Sequence, residues 1–530
     1  MLEPMMMGTV FVRQFLQNAI LVVCLTYVAH PVAAAAKEKL AVVAIDADPG
    51  HFNPGITTGG HVHAVADSIF NGLVGLDASL SPVPDLALRW RISPDGKTYT
   101  FDLVDAKWHD GVPFTSADVK FTFEEILLKY HARTKAGLGA VIAGIDAPNP
   151  RQVVFRLNTP HGAFLSRLDV TEAPILPKHI FSTAGDPNAA PANLKPIGTG
   201  PFKLVSYEKD GSIVLGRNKE YFKPGLPKID RLIMRIIKEP ATRLLAFERG
   251  EVDYLPGVPG NEVARLKAKG SITTIDVSSG SGGGNCIVTA SFNLEREPLK
   301  NVDVRKAIAL AVDRSRMVEQ ILFGQGKVAA APISSAIQWA HAAGVLSDLS
   351  PSPDKANALL DGAGLARGAG GTRLTLSIIH FPTFNKYAEL MKQDLAKVGI
   401  DLVSRPLDRE AFVDAAFRKR DFDLNIIHYC NGVDPEIGVR RMYVSNNIGA
   451  VPFSNAAAYR NQRVDELFES AGLATSEAER GALYREIQAI LAHDLPYWWL
   501  VETVTTAVHR SSCTGFHPWT GQLAEEAACD

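Results

Sequence analysis

Few residues in this sequence are spaced for chemistry. None of the patterns HExxH, GxSxG and GxxxxGK[ST] occurs. The helix-borne zinc pair, the strained nucleophile turn and the phosphate-cradling loop are therefore not spelled out. Asp46/Asp48 and Asp434/Glu436 are the nearest paired carboxylates. A glycosidase pair flanks its bond from two separate elements, roughly 5–9.5 Å apart, and neighbours two positions apart on one segment do not supply that. His51, His61 and His63 cluster, and imidazole suits nickel, copper and zinc. On a helix starting there, His61 and His63 face different sides, so they read as solvated or capping residues. Gly362-Ala363-Gly364 resembles part of a dinucleotide fingerprint. It follows a helical stretch, Asp354–Leu360, and so reads as a helix C-terminus. Ser281-Gly282-Gly283-Gly284 is either an anion-cradling run of backbone N–H groups or a flexible segment between two parts of the chain. No catalytic residue, metal or cofactor is assigned.

The chain has five cysteines. Cys24 falls in the N-terminal apolar run. Cys286, Cys430, Cys513 and Cys529 show no CxxC spacing, which argues against structural zinc. Cys286 and Cys430, beside apolar residues, read as buried thiols. Cys513 and Cys529 could close the C-terminal tail in an oxidising compartment.

The elements that must position these groups begin with an export signal. Ala19–Ala29 is an apolar run of signal-peptide length, too short to span a bilayer. Arg13 precedes it, and Pro31–Ala36 offers small residues for cleavage after Ala34 or Ala36. Met5, Met6 and Met7 are candidate later starts. Leu21-Val22-Val23 lacks the small residues a lipoprotein needs before Cys24. No later run reaches the ~18 apolar residues of a spanning helix. The whole chain of 530 residues is 46% hydrophobic and 21% charged, with a net charge of -2 and no block of like charges. That balance excludes a basic nucleic-acid face and a polybasic membrane anchor.

After the signal, Leu40–Ile45 reads as a buried strand feeding a loop. Apolar spacing at Val62, Val65, Ile69 and Leu73 predicts a helix over His61–Leu76. Alternation at Tyr99, Phe101 and Leu103, after the turn Pro94-Asp95-Gly96, predicts a hairpin. Thr115-Ser116-Ala117-Asp118 starts a helix running through Phe121 to Leu128. Val153–Leu157 and Gly200–Val205 are further strands. The second half alternates differently: strand Leu374–His380, helix Tyr387–Val398, strand Ile400–Val403, helix Arg409–Phe417, strand Phe422–His428. This β-α-β-α-β rhythm predicts a parallel sheet covered on both faces. Its ligand crevice lies beyond the carboxyl ends of the strands, where the loop Tyr429–Glu436 begins. Ser476-Glu477-Ala478-Glu479 spells a capping box opening a helix to His493. Composition and periodicity thus give an exported, two-part α/β protein.

Three long stretches resemble the bacterial extracellular solute-binding family 5, the dipeptide, oligopeptide and nickel receptors of ABC importers. The first is Leu86-Ala87 to Trp90 and Ser93–Phe101, followed by Trp108-His109-Asp110-Gly111-Val112-Pro113-Phe114-Thr115-Ser116-Ala117-Asp118-Val119. The second is Ile197-Gly198-Thr199-Gly200-Pro201-Phe202-Lys203-Leu204, with Arg217-Asn218, Tyr221-Phe222 and Gly250-Glu251-Val252-Asp253. The third is Phe292-Asn293 and Pro298-Leu299, with Val302–Ile308 and Ala311-Val312-Asp313-Arg314. Weaker matches continue through Lys355–Leu360, Asp434-Pro435 and Val464–Leu467.

The resemblance implies an α/β, two-lobed periplasmic-binding-protein fold of type II, in the large cluster with an extra subdomain. A signal peptide of residues 1–36 precedes lobe I, residues 37–276 plus 505–530, with an inserted strand-rich subdomain. Lobe II is residues 277–504. The chain would cross near Asp276–Ser278 and return near Thr503–Val508, making a two-crossing hinge. The implied function is capture of a small polar solute, peptide-like or opine-like, and its delivery to an inner-membrane permease. A nickel- or metal-chelate receptor of the same family and an exported hydrolase stay as alternatives. The expected state is a periplasmic monomer that binds no nucleic acid.

By the same resemblance, the loop after the first strand touches ligand, at Thr57, Thr58, Gly59 and Gly60. In lobe II, peptide receptors carry an aspartate for the ligand's ammonium, and Asn431 stands at that position, beside Tyr429 and Asp434. An amide cannot neutralise a buried ammonium. The arginine that dipeptide receptors use for the carboxylate has no match in Ile378–Thr383. Arg440 and Arg441 either replace that charge or sit on a solvated helix face.

Overall fold

The computed structural model describes residues 38–270, 272–277, 285–449, 452–518 and 521–530. The signal segment and the run Ser281–Gly284 lie outside the described residues.

Two large sheets organise the chain. The first has seven strands in the order Ile272–Val277, Thr505–Arg510, Tyr254–Val258, Leu40–Ile45, Arg231–Ile236, Ser212–Arg217, Phe202–Tyr207. Leu40–Ile45 runs parallel to Arg231–Ile236, and its inward residues Ala41, Val43 and Ile45 join the first lobe's core. The second has six strands in the order Gly326–Val328, Tyr497–Thr503, Cys286–Phe292, Leu424–Cys430, Leu374–His380, Ile400–Pro406. Its last three strands are mutually parallel, with register Ile378↔Leu424 and Leu374↔Ile400. All seven residues of Cys286–Phe292 are buried, as befits a central strand covered on both faces. A third sheet is antiparallel, in the order Ala87–Ile92, Thr98–Leu103, Gln152–Leu157, Ile142–Asn149. There Tyr99, Phe101 and Leu103 point into a core of their own while Thr98, Thr100 and Asp102 stay half-exposed.

Two segments join the large sheets, giving a two-lobed α/β fold. Strand Ile272–Val277 precedes the first crossing, and Val504 separates strand Tyr497–Thr503 of one sheet from Thr505–Arg510 of the other. Val277 pairs with Thr505 on one side and Ile287 with Glu502 on the other. The two crossings therefore leave and enter each sheet side by side.

Several local expectations are corrected. The helix placed over His61–Leu76 covers only Gly60–Ala66. Gly72 lies against the backbone of Asp169, where a Cβ would come within 2.5 Å. Val74–Leu76 is extended and pairs with Pro82–Pro84. Cys286 and Cys430 are not thiols: they stand directly opposite on antiparallel strands and form a disulfide, and Cys513–Cys529 is a second. Ser476 does precede the helix Glu477–Asp494, but its side chain makes no capping hydrogen bond. At the other predicted capping box, the Thr115 backbone N–H donates to the Asp118 carboxylate at 2.8 Å. Gly364 closes the helix Pro353–Gly362 with φ +79°, the left-handed geometry that glycine adopts freely.

Candidate functional site

The site is built where both sheets present carboxyl ends of parallel strands. In the first lobe, strand Leu40–Ile45 leads through a short loop to the helix Gly60–Ala66. Thr57 Oγ1 accepts the Gly59 N–H at 3.0 Å, and the Gly59 carbonyl accepts the N–H groups of Val62 and His63. A cavity of about 610 Å³ opens beside this loop, lined by Ile45, Thr58, Gly60, His63 and Tyr254.

Charged groups line its wall. His63 Nδ1 lies 2.9 Å from Asp67 Oδ1, and His63 Nε2 lies 3.2 Å from the Thr57 carbonyl. Burial alone would lower the His63 pKa, but the Asp67 carboxylate overcomes this and raises it. Thr171 Oγ1 donates to Asp67 at 2.9 Å, and Arg133 pairs with Glu172 at 2.9 Å. Behind them Asp169 is fully enclosed, and burial, helped by Glu172, pushes its carboxyl up to about 7. His61 is exposed while His63 is buried, so these histidines do face apart. His63 is neither solvated nor a cap: Asp67 and the Thr57 carbonyl engage both ring nitrogens.

In the second lobe a cavity of about 370 Å³ sits beyond the three parallel strands. Phe381 follows Leu374–His380, Arg409 follows Ile400–Pro406, and Tyr429 and Cys430 end Leu424–Cys430. Phe384, Phe453, His428 and Arg441 complete the wall. Cys430 lines both cavities, so they meet at the Cys286–Cys430 disulfide.

The predicted lobe II residues have other employment. Asn431 is 1% exposed; its Oδ1 accepts the Ser334 N–H at 2.7 Å and its Nδ2 donates to the Tyr429 carbonyl at 3.4 Å. It locks the loop from inside. The Tyr429 hydroxyl donates to the Ser454 carbonyl at 3.2 Å, so only part of the residue reaches the cavity. Asp434, 1% exposed, takes both forks of Arg480 at 2.7 Å. Arg440 pairs with Glu436 at 2.7 Å on its own short turn. Neither Asp434 nor Arg440 lines a described cavity, and both carboxylates of the Asp434/Glu436 pair are held by guanidinium groups.

Arg480 also joins the lobes. Its Nη1 donates to the Gly162 carbonyl at 3.1 Å, and the Gly162 N–H donates to the Gly472 carbonyl at 2.7 Å. His161 beside this contact is pushed down to about 4, chiefly by burial and next by Arg167. A Cβ on Gly162 would lie 2.4 Å from the Ala474 carbonyl oxygen.

Residues 81–450 match the family described as bacterial extracellular solute-binding proteins, family 5. The chain belongs to that family. A Brucella ovis protein, provisionally named an ABC transporter peptide-binding protein, is 31% identical over 84% of each chain. Di/tripeptide-binding protein 1 of Pseudomonas aeruginosa is 29% identical, over 85% of this chain and 86% of that one. The solved Helicobacter pylori protein DppA, in complex with the peptide STSA, superposes with a TM-score of 0.69 at 26% identity, covering 92% of this chain and 98% of that one. As a family 5 protein the chain is the substrate-binding component of an ABC importer. No helix among the described residues is long and apolar enough to cross a membrane. For a family 5 receptor, the meeting of two cavities between lobes is the geometry that binding calls for.

Of the expected loop, Thr58 and Gly60 line the cavity, together with His63, Asp67 and Arg133, which the sequence reading did not place there. That reading also missed Arg409, which the strand-end rule could have found, since Arg409 comes three residues after strand Ile400–Pro406.

Proposed function

We propose that this chain is a periplasmic receptor that captures a small peptide-like or opine-like solute between its lobes and hands it to a permease. The observation that carries the reading is the junction of the two cavities at Cys430, each at the carboxyl ends of its lobe's strands. Thr58 and Gly60 would face the ligand from lobe I, and Tyr429 from lobe II. Thr57 and Gly59 would shape the loop. Lobe I is taken as residues 37–276 plus 505–530 and lobe II as 277–504, with closure turning on the two paired crossings. Export through a cleaved signal peptide, a monomeric state and the lack of turnover are parts of the same proposal.

The test is a melting-temperature screen of purified protein against di- and tripeptides, opines and nickel–histidine. A binder of the folded state must raise the melting point with concentration, by about 2.7 kcal/mol of stability at a hundredfold excess over Kd. Solutes that shift the melt and are recovered intact support the receptor. A solute that is hydrolysed overturns it in favour of an exported hydrolase, and a shift by nickel–histidine alone favours the chelate receptor.

A further inference from the structure

The segment after strand Thr505–Arg510 folds back to build one wall of the lobe I cavity. Cys513–Thr514 pairs antiparallel with Ala528–Cys529, and a disulfide closes the base of the loop between them. Within the loop so closed, Pro518, Gly521 and Leu523 line the cavity. Their position is fixed by contacts of their own. The His517 N–H donates to the Leu523 carbonyl at 2.9 Å. On either side of Leu523, Gln522 and Ala524 are buried, and Gln522 Nε2 donates to the Phe70 carbonyl at 2.9 Å. Glu525 accepts the Tyr221 hydroxyl and pairs with Lys223 at 2.9 Å, and Lys223 also reaches Asp85 at 3.2 Å. Phe516 packs on the cavity residue Tyr254, ring centroids 4.9 Å apart. Leu523 itself carries the largest half-buried apolar side chain on the cavity wall, and Ile45, Tyr254, Pro256 and Pro518 extend the apolar surface. The charged groups there are already paired, His63 with Asp67 and Arg133 with Glu172. Covering such a surface with an apolar group takes both out of water, which is favourable in proportion to the area.

Resting on the receptor reading above, we infer that this loop is a specificity element: Leu523 packs on an apolar side chain of a small peptide-like solute and sets the size of the group accepted. The backbone at Leu523 is held from both sides, so a larger group meets the side chain itself and not a yielding loop. A wall pinned in this way discriminates by volume. One methylene more or less in a hydrophobic pocket is worth roughly 10- to 200-fold. Gln522, Ala524 and Glu525 anchor the wall directly, so the cystine at the base of the loop is not needed to shape it.

The probes are the dipeptide series Gly-X and X-Gly, with X glycine, alanine, leucine, phenylalanine or tryptophan, measured by calorimetry and melting shift on the full mature protein. In wild type at least one series should gain affinity from glycine up to the X that fills the cavity and lose it beyond. Leu523→Ala should move that optimum to a larger X and Leu523→Phe to a smaller one. The affinity ratio of the leucine to the phenylalanine dipeptide should change by roughly 10-fold, in opposite directions in the two variants. Gly-Gly, which sets no side chain against the wall, should bind wild type and both variants alike, and the unliganded melting points should stay close, which separates altered specificity from a lost fold. Wild-type affinity that does not vary with X, or an optimum that neither variant moves, overturns the role of Leu523 while leaving the receptor reading intact. If no dipeptide of either series binds, the assignment falls, and the receptor reading is then decided by the wider screen alone.

Discussion

Asn431 is held by hydrogen bonds to its own surroundings. Both ends of its amide are engaged, by the Ser334 N–H and the Tyr429 carbonyl, and the residue is buried. An aspartate there would keep the acceptor but set a negative charge against the Tyr429 carbonyl oxygen. Asn431→Asp should therefore destabilise the protein by about 1–3 kcal/mol, the usual cost of a buried polar group losing its partner. Chemical denaturation measures this. The set of solutes bound should stay as in wild type, and a new preference for cationic solutes would show that residue 431 reaches the ligand after all. Residue matching alone does not show this inward turn. Sequence position told which strand end Asn431 occupies, and only packing told which way it points.

At the scale of elements, the strands with a single periodicity were legible. Leu374–His380 stands where its apolar run placed it, and Tyr99, Phe101 and Leu103 alternate as predicted because each of those strands serves one core. The segment after His61 failed for a physical reason. Its three- and four-residue spacing was real, but Val62, Val65 and Ile69 pack in the first lobe's core while Leu73 packs in that of the four-stranded sheet. One pattern served two cores, and the chain turned between them. Contacts between distant elements left no trace in the sequence. Gly162, which follows the four-stranded sheet, meets Gly472 of the other lobe backbone to backbone, and its carbonyl accepts from the Arg480 guanidinium. Only a residue without a Cβ permits that approach. Gly162→Ala should hold the lobes apart and so tax the closed, liganded form. The expected result is a roughly tenfold weaker affinity, about 1.4 kcal/mol, carried mainly by faster ligand release. Stopped-flow dissociation would read it, and an unchanged release rate would mean that this contact takes no part in closure.

On the scale of the whole molecule, the two disulfides constrain very different lengths of chain. Cys286 begins the strand that follows the first crossing between lobes, and Cys430 ends the strand whose loop shapes the lobe II cavity. Their bridge spans 144 residues, whereas Cys513–Cys529 spans 16. The short pairing was offered by the sequence as a closure of the C-terminal tail, but the long one was not, since no spacing rule links positions so far apart and only the register Cys286↔Cys430 makes them neighbours. A cross-link stabilises mainly by shrinking the unfolded ensemble, which on the chain-entropy estimate is worth about 5 kcal/mol for the long loop and about 3 kcal/mol for the short one. Replacing Cys286 and Cys430 together with serine should therefore lower stability more than replacing Cys513 and Cys529 together. The first pair should also loosen the junction of the two cavities, because Cys430 lines both. Denaturation midpoints rank the two double variants, and ligand affinity separates them further. The Cys513/Cys529 variant should bind as wild type does, and the Cys286/Cys430 variant more weakly. The reverse ranking in stability would mean that the sheet alone already fixes the first crossing to lobe II, with the cystine adding nothing to either closure or fold.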